Sequence, residues 1–323
     1  MTDSPYGAPW YLTAVCVFQN EAQNLDEWLA FCFSEGVEHV LMYDNFSTDD
    51  FRAVLEPWIA AGFAELIDWP IPFDDRAQVK AYSDALHRLS GQARWAAFID
   101  VDEFLFSPSG QPVSERLREF EGHAGVIVNW QCYGTSGHTA RPAGLTIENY
   151  TRRAKSGWAR NRCVKSIVDP ALAVAPRGPH LFTVQPGETL IAEDLTPVRM
   201  VRAAKWRYRL RHLAALLPNL PFDPYSKNEP ASARVSVNTL RINHYVTRSK
   251  ADLRLKYKDR KTMLDRDRNS HFRYHDRNEV EDRILASKAA RVREIIACVR
   301  ETSSLKTLQG SPSALLEAEI GPS

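Results

Sequence analysis

The stretch that most constrains this chain is an apolar run that ends in a cluster of acids. Residues 95–99 read Trp-Ala-Ala-Phe-Ile, and Asp100, Asp102 and Glu103 follow directly. A short apolar run predicts a buried strand, and open α/β sheets bind their ligands beyond the carboxyl ends of the strands. Two carboxylates at i and i+2 there can share one Mg²⁺ or Mn²⁺ with a diphosphate, because these cations prefer oxygen ligands.

The alternative for this stretch is an acidic turn that simply follows a strand, since a short motif of two acids is weak evidence when it stands alone. Three neighbouring acids at the edge of a core are nevertheless unfavourable unless something cationic compensates them. The context of the motif therefore decides between the two interpretations.

Repeated strand-and-helix units precede the acids. The apolar runs 11–18, 37–43 and 64–69 predict strands, and each is followed by a helical pattern. We expect Asn24 to cap the first helix with Glu27 in a capping box, and Ser47 to cap the second. This alternation predicts an α/β fold with a mostly parallel central sheet and helices on both faces.

The rhythm loosens after residue 106. A strand at 125–130 is followed by residues 139–200, which are rich in Pro, Gly and Arg and predict an antiparallel extension with long loops. Residues 235–245 alternate again, and 279–300 predict a last amphipathic helix. We therefore divide one domain into a nucleotide-sugar-binding α/β half, 1–130, and an acceptor-binding half with the C-terminal helices, 131–301, before a loosely ordered tail, 302–323.

Polar side chains follow the first, second and fourth predicted strands. In a doubly wound sheet these turns share one edge, so residues that are distant in sequence meet in one crevice. A carboxylate such as Asp44 can accept hydrogen bonds from a base or a ribose, although helix capping and turn chemistry also explain it. The candidates for binding a donor are Asn20, Glu21, Asp44, Asn45, Asp100 and Lys165. Lys165 is either a phosphate contact or simply a surface charge.

Other candidates lie in the second half. His244 is a possible metal ligand at a strand end, although a single histidine is more often a packed residue. The loop 134–138 does not have the phosphate-binding Gly-x-Gly-x-x-Gly spacing, so we interpret it as an acceptor loop. The charged stretch 248–277 contains many acids as well as bases and favours a solvated helical face, from which several cations could still reach a diphosphate.

Composition excludes several classes of protein. Lys and Arg number 41 against 40 acids, so the net charge of +1 gives no reason to expect nucleic acid. The five cysteines are scattered and never form a Cys-x-x-Cys pair, which argues against a disulfide framework or a zinc site and favours the cytoplasm. The apolar segment 10–18 is too short to span a bilayer, so any membrane association would be peripheral.

Taken together, these motifs resemble glycosyltransferase family 92 and its bacterial family-2-like relatives. The resemblance is ordered and runs from about residue 15 to 257. It is carried by Asn20-Glu21, Glu27-Trp28-Leu29, Gly36-Val37, Tyr43-Asp44-Asn45-x-Ser47-x-Asp49, Ile99-Asp100-Val101-Asp102-Glu103-Phe104, Asn129-Trp130, Gly134-Thr135-Ser136-Gly137-His138 and Asn243-His244-Tyr245.

The resemblance implies a GT-A fold and an inverting transfer of a hexose, often galactose from UDP-galactose, to a glycan or another hydroxyl acceptor. It implies dependence on Mn²⁺ or Mg²⁺. By the same analogy, Asp44 contacts the base, Asp100 the ribose, and Asp102 with Asp100 and His244 the metal. The acceptor residues would be Trp130, Gly134, Ser136, Gly137 and His138.

Inversion also needs a carboxylate base beside the acceptor hydroxyl. Glu148, Glu193 and Asp194 follow the acid cluster, and we favour Glu148 because it is closest in sequence to the loop 134–138.

Two other classes of protein remain open. A phosphatase that uses Asp100 as a nucleophile would place its acid pair on the first strand of its fold, whereas here three units precede it. A sugar-nucleotide or glycan-binding protein without catalytic activity would share the fold, since a fold does not determine activity.

Overall fold

The structure is a computed structural model, and it describes residues 7–72, 75–202, 230–257 and 265–306. Most of the predicted tail at 302–323, and part of the charged stretch 248–277, lie outside the described residues. The family resemblance falls almost entirely within them.

The strands of the described residues belong to one large sheet and three small two-stranded sheets. Their bounds are β1 (Trp10–Phe18), β2 (His39–Asp44), β3 (Ala64–Asp68), β4 (Ala93–Phe98), β5 (Glu103–Phe106), β6 (Gly125–Cys132), β7 (Arg152–Arg153), β8 (Val164–Val168), β9 (Ala173–Pro176), β10 (Phe182–Val184), β11 (Leu190–Ala192), β12 (Met200–Arg202), β13 (Pro230–Ser232), β14 (Arg241–His244) and β15 (Val280–Glu281).

The α-helices are α1 (Ala22–Ser34), α2 (Phe51–Ala60), α3 (Ala77–Leu89), α4 (Val113–Arg116), α5 (Thr146–Asn149), α6 (Lys250–Tyr257), α7 (Asp265–His275) and α8 (Ala289–Thr302). Short 3₁₀ helices span Leu117–Phe120, Ala159–Arg162 and Ala286–Lys288.

The large sheet has the order β3-β2-β1-β4-β8-β6-β14-β5, and β11 also pairs with β6. The half formed by β3, β2, β1 and β4 is entirely parallel. The later strands mix directions, since β8 is antiparallel to both β4 and β6, and β14 is parallel to β6 but antiparallel to β5. The predicted α/β class with a mostly parallel central sheet and an antiparallel extension is confirmed.

Helices cover both faces of the parallel half of the sheet, and the alternating side chains of β1 pack against both helix layers. Leu12, Ala14 and Cys16 pack into a core that includes α1, α2 and α8. Val15 points to the opposite face, where it joins a second core built on α3. Such two-sided burial explains why β1 has a continuous apolar sequence.

Two predicted helix caps are wrong. The first helix begins at Ala22, and the carboxylate of Glu27 accepts hydrogen bonds from the backbone N–H groups of Thr146 and Ile147, at 2.8 and 3.0 Å, instead of forming a capping box. The second helix begins at Phe51. In both cases a polar residue is used in a contact between distant segments, which a local pattern does not reveal.

Two predicted elements are shorter than expected. Within 279–300, only the part from Ala289 onward is an α-helix, because Asp282 is held by Arg153 Nε and Arg241 Nη2 at 2.6 and 2.7 Å next to the strand pair β7–β15. The strand predicted at 235–245 covers only β14, because the Glu193 carboxylate accepts the N–H groups just before it.

All five cysteines carry free thiols. Among the described residues, no helix combines the length and the apolar character needed to cross a membrane.

The end of α1 carries a buried acid that should make stability depend on pH. Glu35 contacts the ammonium group of Lys288, yet burial raises the pKa of Glu35 from about 4.5 to about 7 against the lowering effect of that lysine. The folded protein therefore keeps a proton up to about pH 7 that the unfolded chain has already released. Unfolding releases this proton, so the free energy of unfolding falls as the pH rises between these two values, by about 3 kcal/mol in total.

We expect urea unfolding of the wild type to show this loss and Glu35→Gln to remove most of it, because glutamine does not titrate. Lys288→Met should extend the loss to higher pH, since the cation that lowers the pKa of Glu35 is gone. An identical pH profile in the wild type and in Glu35→Gln would contradict the assignment.

Candidate functional site

The loops after β1, β2 and β4 leave the sheet at one edge. Phe18 at the end of β1 pairs with Asp44 at the end of β2, and Val15 of β1 pairs with Phe98 at the end of β4. The three strands are parallel, so their carboxyl ends lie side by side. This is the edge at which open α/β sheets bind ligands.

Asn20 links the loop after β1 to the loop after β2. Its Oδ1 accepts the N–H of Thr48 at 2.7 Å, and its own N–H donates to Ser47 Oγ at 2.9 Å. Its φ of 55° lies in the left-handed region, which asparagine tolerates better than most residues. Asp49 adds a further link by accepting the N–H of Ala22 at 2.8 Å. Asn20 and Ser47 thus fix the relative position of two loops.

Asp44 and Asn45 are buried and participate in turn chemistry. Asp44 Oδ1 accepts the N–H of Ser47 at 3.0 Å. Asn45 Nδ2 donates to the carbonyls of Trp69 and Ile71 at 2.9 and 2.8 Å, which ties this loop to the segment after β3. The turn chemistry expected of these two residues therefore holds, although the helix cap does not, and a role in donor binding would be additional to it.

Asp100 belongs to a compensated cluster of charges. Its Oδ1 accepts from Gln78 Nε2 at 2.9 Å, and its Oδ2 accepts from Lys165 Nζ at 2.8 Å. Lys165 also lies 3.3 Å from Glu103 Oε2, which in turn accepts the backbone N–H of Asp100 at 2.9 Å. Burial opposes the charge of Lys165, but the neighbouring carboxyl groups hold its pKa well above the usual range.

Glu103 is fully buried, and burial raises its pKa well above the usual range even though Lys165 opposes this shift. One lysine thus faces two carboxyl groups. Lys165 is buried as well, at 1% side-chain exposure, so its contacts in this structure are with protein carboxyl groups.

Asp102 is buried between two groups that approach different oxygens. His244 Nε2 lies 3.6 Å from Oδ1, and the Lys256 ammonium contacts Oδ2. Burial disfavours the charge on Asp102, but the Lys256 ammonium holds its pKa well below the usual range. Burial lowers the pKa of His244 although Asp102 opposes the shift, so the imidazole is neutral and available as a ligand.

Arg248 connects the acid motif to the loop after β1. Its Nη1 lies 3.0 Å from Glu21 Oε2, and its Nη2 donates to the carbonyl of Val101 at 3.2 Å. Its φ of 44° is left-handed, a conformation that non-glycine residues adopt at an energetic cost and often at functional sites. The contacts through Asn20, Glu21 and Arg248 form a continuous link from Asp44 to the acid motif.

The prediction of a solvated face for 248–277 is wrong at the beginning of this stretch. Arg248 is 6% exposed and reaches the acid motif, and Lys256 contacts Asp102. Sequence reasoning did not single out either residue, nor Gln78. The sequence feature that could have indicated Arg248 is its position three residues after the strand predicted at 235–245, because site residues often lie just beyond strand ends.

The predicted acceptor loop is held by backbone contacts. Gly134 has no room for a side chain, because a Cβ would lie 2.5 Å from the carbonyl oxygen of Arg277. Ser136 donates its N–H to Asn278 Oδ1 at 2.7 Å, and Gly137 has a φ of 91°. These contacts explain the small residues of the loop.

The other two acceptor candidates lie against aromatic or imidazole rings. Trp130 packs with its centroid 4.2 Å from the ring of His244. His138 Nε2 lies 3.2 Å from the carbonyl oxygen of Asn149 and its ring makes an edge contact with Tyr150. Trp130 is therefore the acceptor candidate that directly contacts the Asp102–His244 pair.

Glu148, the predicted base, lies in α5. Its Oε2 accepts the N–H of Leu145 at 3.2 Å and contacts the guanidinium group of Arg293. The backbone carbonyl of the neighbouring Asn149 contacts His138, so α5 touches the predicted acceptor loop, whereas the Glu148 carboxylate itself is directed to Arg293.

The residues fit a metal ion in part. Among the residues that the structure describes, no group of three His, Cys, Asp or Glu side chains could hold a metal on its own. Asp102 Oδ1 and His244 Nε2, at 3.6 Å, are close enough to be neighbouring ligands of one small divalent cation. His244 Nδ1, the other ring nitrogen, is buried and has no hydrogen-bond partner in the described part of the chain, so no second contact fixes the tautomer in which Nε2 would bind a metal. The pair fits a half-site that donor oxygens would complete, as is common for Mg²⁺.

Comparison with known proteins identifies the family. The sequence model of glycosyltransferase family 92 matches residues 13–286. A family 92 protein from Ricinus communis is 30% identical over 151 residues, covering 45% of this chain and 27% of the relative. Galactan beta-1,4-galactosyltransferase GALS1 from Arabidopsis thaliana is 30% identical over 128 residues, covering 36% and 25%. The matched region thus spans about a quarter of the length of these relatives.

Solved structures give weaker similarities. The 1–349 fragment of TarS from S. aureus covers 93% of this chain and 92% of its own, with 13% identity and a TM-score of 0.33. Glucosyl-3-phosphoglycerate synthase from Mycobacterium tuberculosis covers 52% and 60%, with 18% identity and a TM-score of 0.31. Scores this low do not bear on the fold, which rests on the sheet described above.

The charge cluster around Lys165 makes a prediction about stability. Lys165→Met removes the cation that compensates Asp100 and Glu103, so we expect it to lower the free energy of unfolding by about 3 kcal/mol in urea. Combining it with Glu103→Gln should cost less than the sum of the two single changes, because the variants share one interaction.

Lys80→Met is the matched control, because the ion pair of Lys80 with Asp75 is at 47% and 65% exposure; it should change stability by less than about 0.5 kcal/mol. Equal effects of Lys165→Met and Lys80→Met would contradict the assigned role of the cluster.

Proposed function

The chain belongs to glycosyltransferase family 92, and we propose that it transfers a hexose from a nucleotide-diphosphate donor to a glycan or another hydroxyl acceptor. The observation that carries this proposal is the continuous link of contacts from Asp44 through Asn20, Glu21 and Arg248 to the acid motif. A nucleotide sugar is an extended ligand, with a base at one end and a charged diphosphate toward the sugar. A row of polar loops along one sheet edge matches that shape.

We place the nucleoside at the loops after β1 and β2, with Asp44 toward the base and Asp100 toward the ribose. Both carboxylates accept hydrogen bonds, and ribose hydroxyls and base N–H groups donate them. Asp100 is 33% exposed although its oxygens already have protein partners, so a ribose hydroxyl can still reach it. Lys165 supports the donor site by fixing Asp100, through the 2.8 Å contact between Lys165 Nζ and Asp100 Oδ2.

We place the diphosphate and an Mn²⁺ or Mg²⁺ ion at Asp102 and His244. The metal would stabilise negative charge on the departing nucleoside diphosphate. The neutral imidazole of His244 and the ionised carboxylate of Asp102 are the protonation states that metal ligation needs. Burial of both side chains excludes water, which strengthens each electrostatic interaction.

Relatives of this chain support a galactosyl donor. Three Arabidopsis proteins that it matches are galactan beta-1,4-galactosyltransferases. We therefore propose UDP-galactose as the first donor to test.

The acceptor would enter over the loop 134–138, where Ser136 and His138 are partly exposed and Gly137 is exposed. Trp130 lies against the metal candidate His244 but is buried, so it would support His244 from behind rather than stack on a sugar. We retain Glu148 as the proposed base that takes the proton of the acceptor hydroxyl with inversion at the sugar carbon. Its contact with Arg293 would then have to be exchanged for the acceptor.

The test is a nucleotide-release assay with UDP-galactose and other nucleotide sugars. We expect release with Mn²⁺, its loss in excess chelator, and a loss of at least about a hundredfold in Asp102→Asn, because the charge that binds the metal is removed. Asp26→Asn is the matched control: Asp26 binds Arg300 and Trp58 on another part of the surface, so turnover should stay at the wild-type value.

Glu148→Gln, in the same assay at saturating substrates, should lower turnover by about a hundredfold if Glu148 is the base, and full turnover would exclude it. Release that persists in excess chelator would contradict the metal. Binding of the donor without any release would favour the sugar-nucleotide-binding alternative, and a phosphoaspartate at Asp100 would favour the phosphatase.

A further inference from the structure

We propose that Lys256 exchanges partners during donor binding: it neutralises Asp102 before the donor arrives and contacts the donor diphosphate once a divalent cation binds Asp102. This inference rests on the proposed function and assigns a residue that the family resemblance does not. Lys256 lies in α6 and reaches Asp102 across 154 residues of sequence.

The first step is the contact itself. The carboxylate of Asp102 is 6% exposed, and a buried charge without a partner is very unfavourable. Of the lysine and arginine side chains in the described ranges, Lys256 is the one whose ion pair with Asp102 the structure gives directly. Lys256 therefore supplies the counter-charge of this buried acid when no other cation is bound.

The second step is a conflict between cations. A metal ion held by Asp102 Oδ1 and His244 Nε2 would lie close to an ammonium group on Oδ2 of the same carboxylate. The two positive charges repel strongly in a buried environment. The divalent ion carries the larger charge and has a second protein ligand, so the lysine is the group that leaves.

The third step is exposure, since the Lys256 side chain is the most exposed of the three cations Lys165, Arg248 and Lys256. It is 30% exposed and carries a compact charge on a flexible stem. Arg248 is 7% exposed and is fixed by both Glu21 and Val101, whereas Lys165 is 1% exposed between two carboxyl groups. Lys165 and Arg248 have structural contacts, and releasing either side chain would leave a carboxyl group without its ion-pair partner.

The start of α6 is anchored, so we assign the exchange to the Lys256 side chain. Asp252 accepts from Ser249 Oγ at 2.7 Å and from Arg141 Nε at 2.9 Å. The N–H of Ala251 donates to the carbonyl of Thr139, next to the predicted acceptor loop, at 3.0 Å. In our proposal, the diphosphate beside the metal is the new partner of the displaced ammonium group.

The test measures the affinity for Mn²⁺ and the affinity for UDP separately, because loss of Lys256 should raise the first and lower the second. Mn²⁺ binding alone is measured from the signal of free Mn²⁺ in electron paramagnetic resonance, and UDP binding is measured by calorimetry in saturating Mn²⁺. In Lys256→Met we expect Mn²⁺ to bind about tenfold more tightly, because the competing cation is gone, and UDP about tenfold more weakly, because the diphosphate loses a contact. Lys256→Gln should give the same pair of changes.

Lys250→Met is the matched control. Lys250 lies in the same helix, with its ammonium 5.7 Å from the ring centroid of Phe272, and the variant should leave both affinities unchanged. A merely structural role of Lys256 would weaken both ligands together, and repulsion alone would tighten Mn²⁺ without weakening UDP. Either result overturns the exchange, as would unchanged affinities. A wild type that binds neither Mn²⁺ nor UDP would instead refute the proposed function, and the exchange with it.

Discussion

The acids that follow β4 can occupy a buried strand end because basic side chains from later parts of the chain reach them. Lys165 forms ion pairs with Asp100 and Glu103, and Lys256 forms an ion pair with Asp102. Without these contacts, the desolvation of three neighbouring carboxyl groups would oppose the fold of the strand that carries them. The second half of the chain thus supplies the cations for the acids of the first half. Lys165 comes from β8, and Lys256 comes from α6.

The architecture could largely be predicted from the sequence because it follows from local patterns. Continuous apolar runs identified β1 and β2, and the spacing of apolar residues identified the helix that carries Trp28. The prediction that polar loops share one edge needed only the parallel direction of the strands, and the pairing of Phe18 with Asp44 confirms it. Family resemblance added the assignment of roles, which periodicity alone does not supply.

The contacts between distant segments could not be predicted from the same patterns. Glu27 and Glu193 have the local appearance of helix or surface residues, yet both accept backbone N–H groups of segments far away in sequence. Arg248 and Lys256 lie in a stretch whose balanced charges favoured a solvated face, and only the folded chain shows that they turn inward. A single sequence describes periodicity well but does not say which buried charge pairs with which.

Several loops of the candidate site contain strained backbone. In the described part of the chain, Asn20, Phe46, Ser136 and Arg248 have positive φ values in these loops, whereas Arg76, Leu195 and Ser303 have them elsewhere. Such conformations are maintained only where surrounding contacts determine them, as the hydrogen bonds of Asn20 illustrate. A pre-shaped site of this kind reduces the conformational entropy that a ligand must remove on binding.

The most direct test is a crystal structure of the protein with UDP and Mn²⁺, in which anomalous scattering locates the metal. We expect a manganese ion bound to Asp102 and His244, a diphosphate that completes its coordination, and a uracil ring beside Asp44. A manganese ion bound elsewhere, or a nucleotide outside the edge formed by β1, β2 and β4, would contradict the proposed donor site.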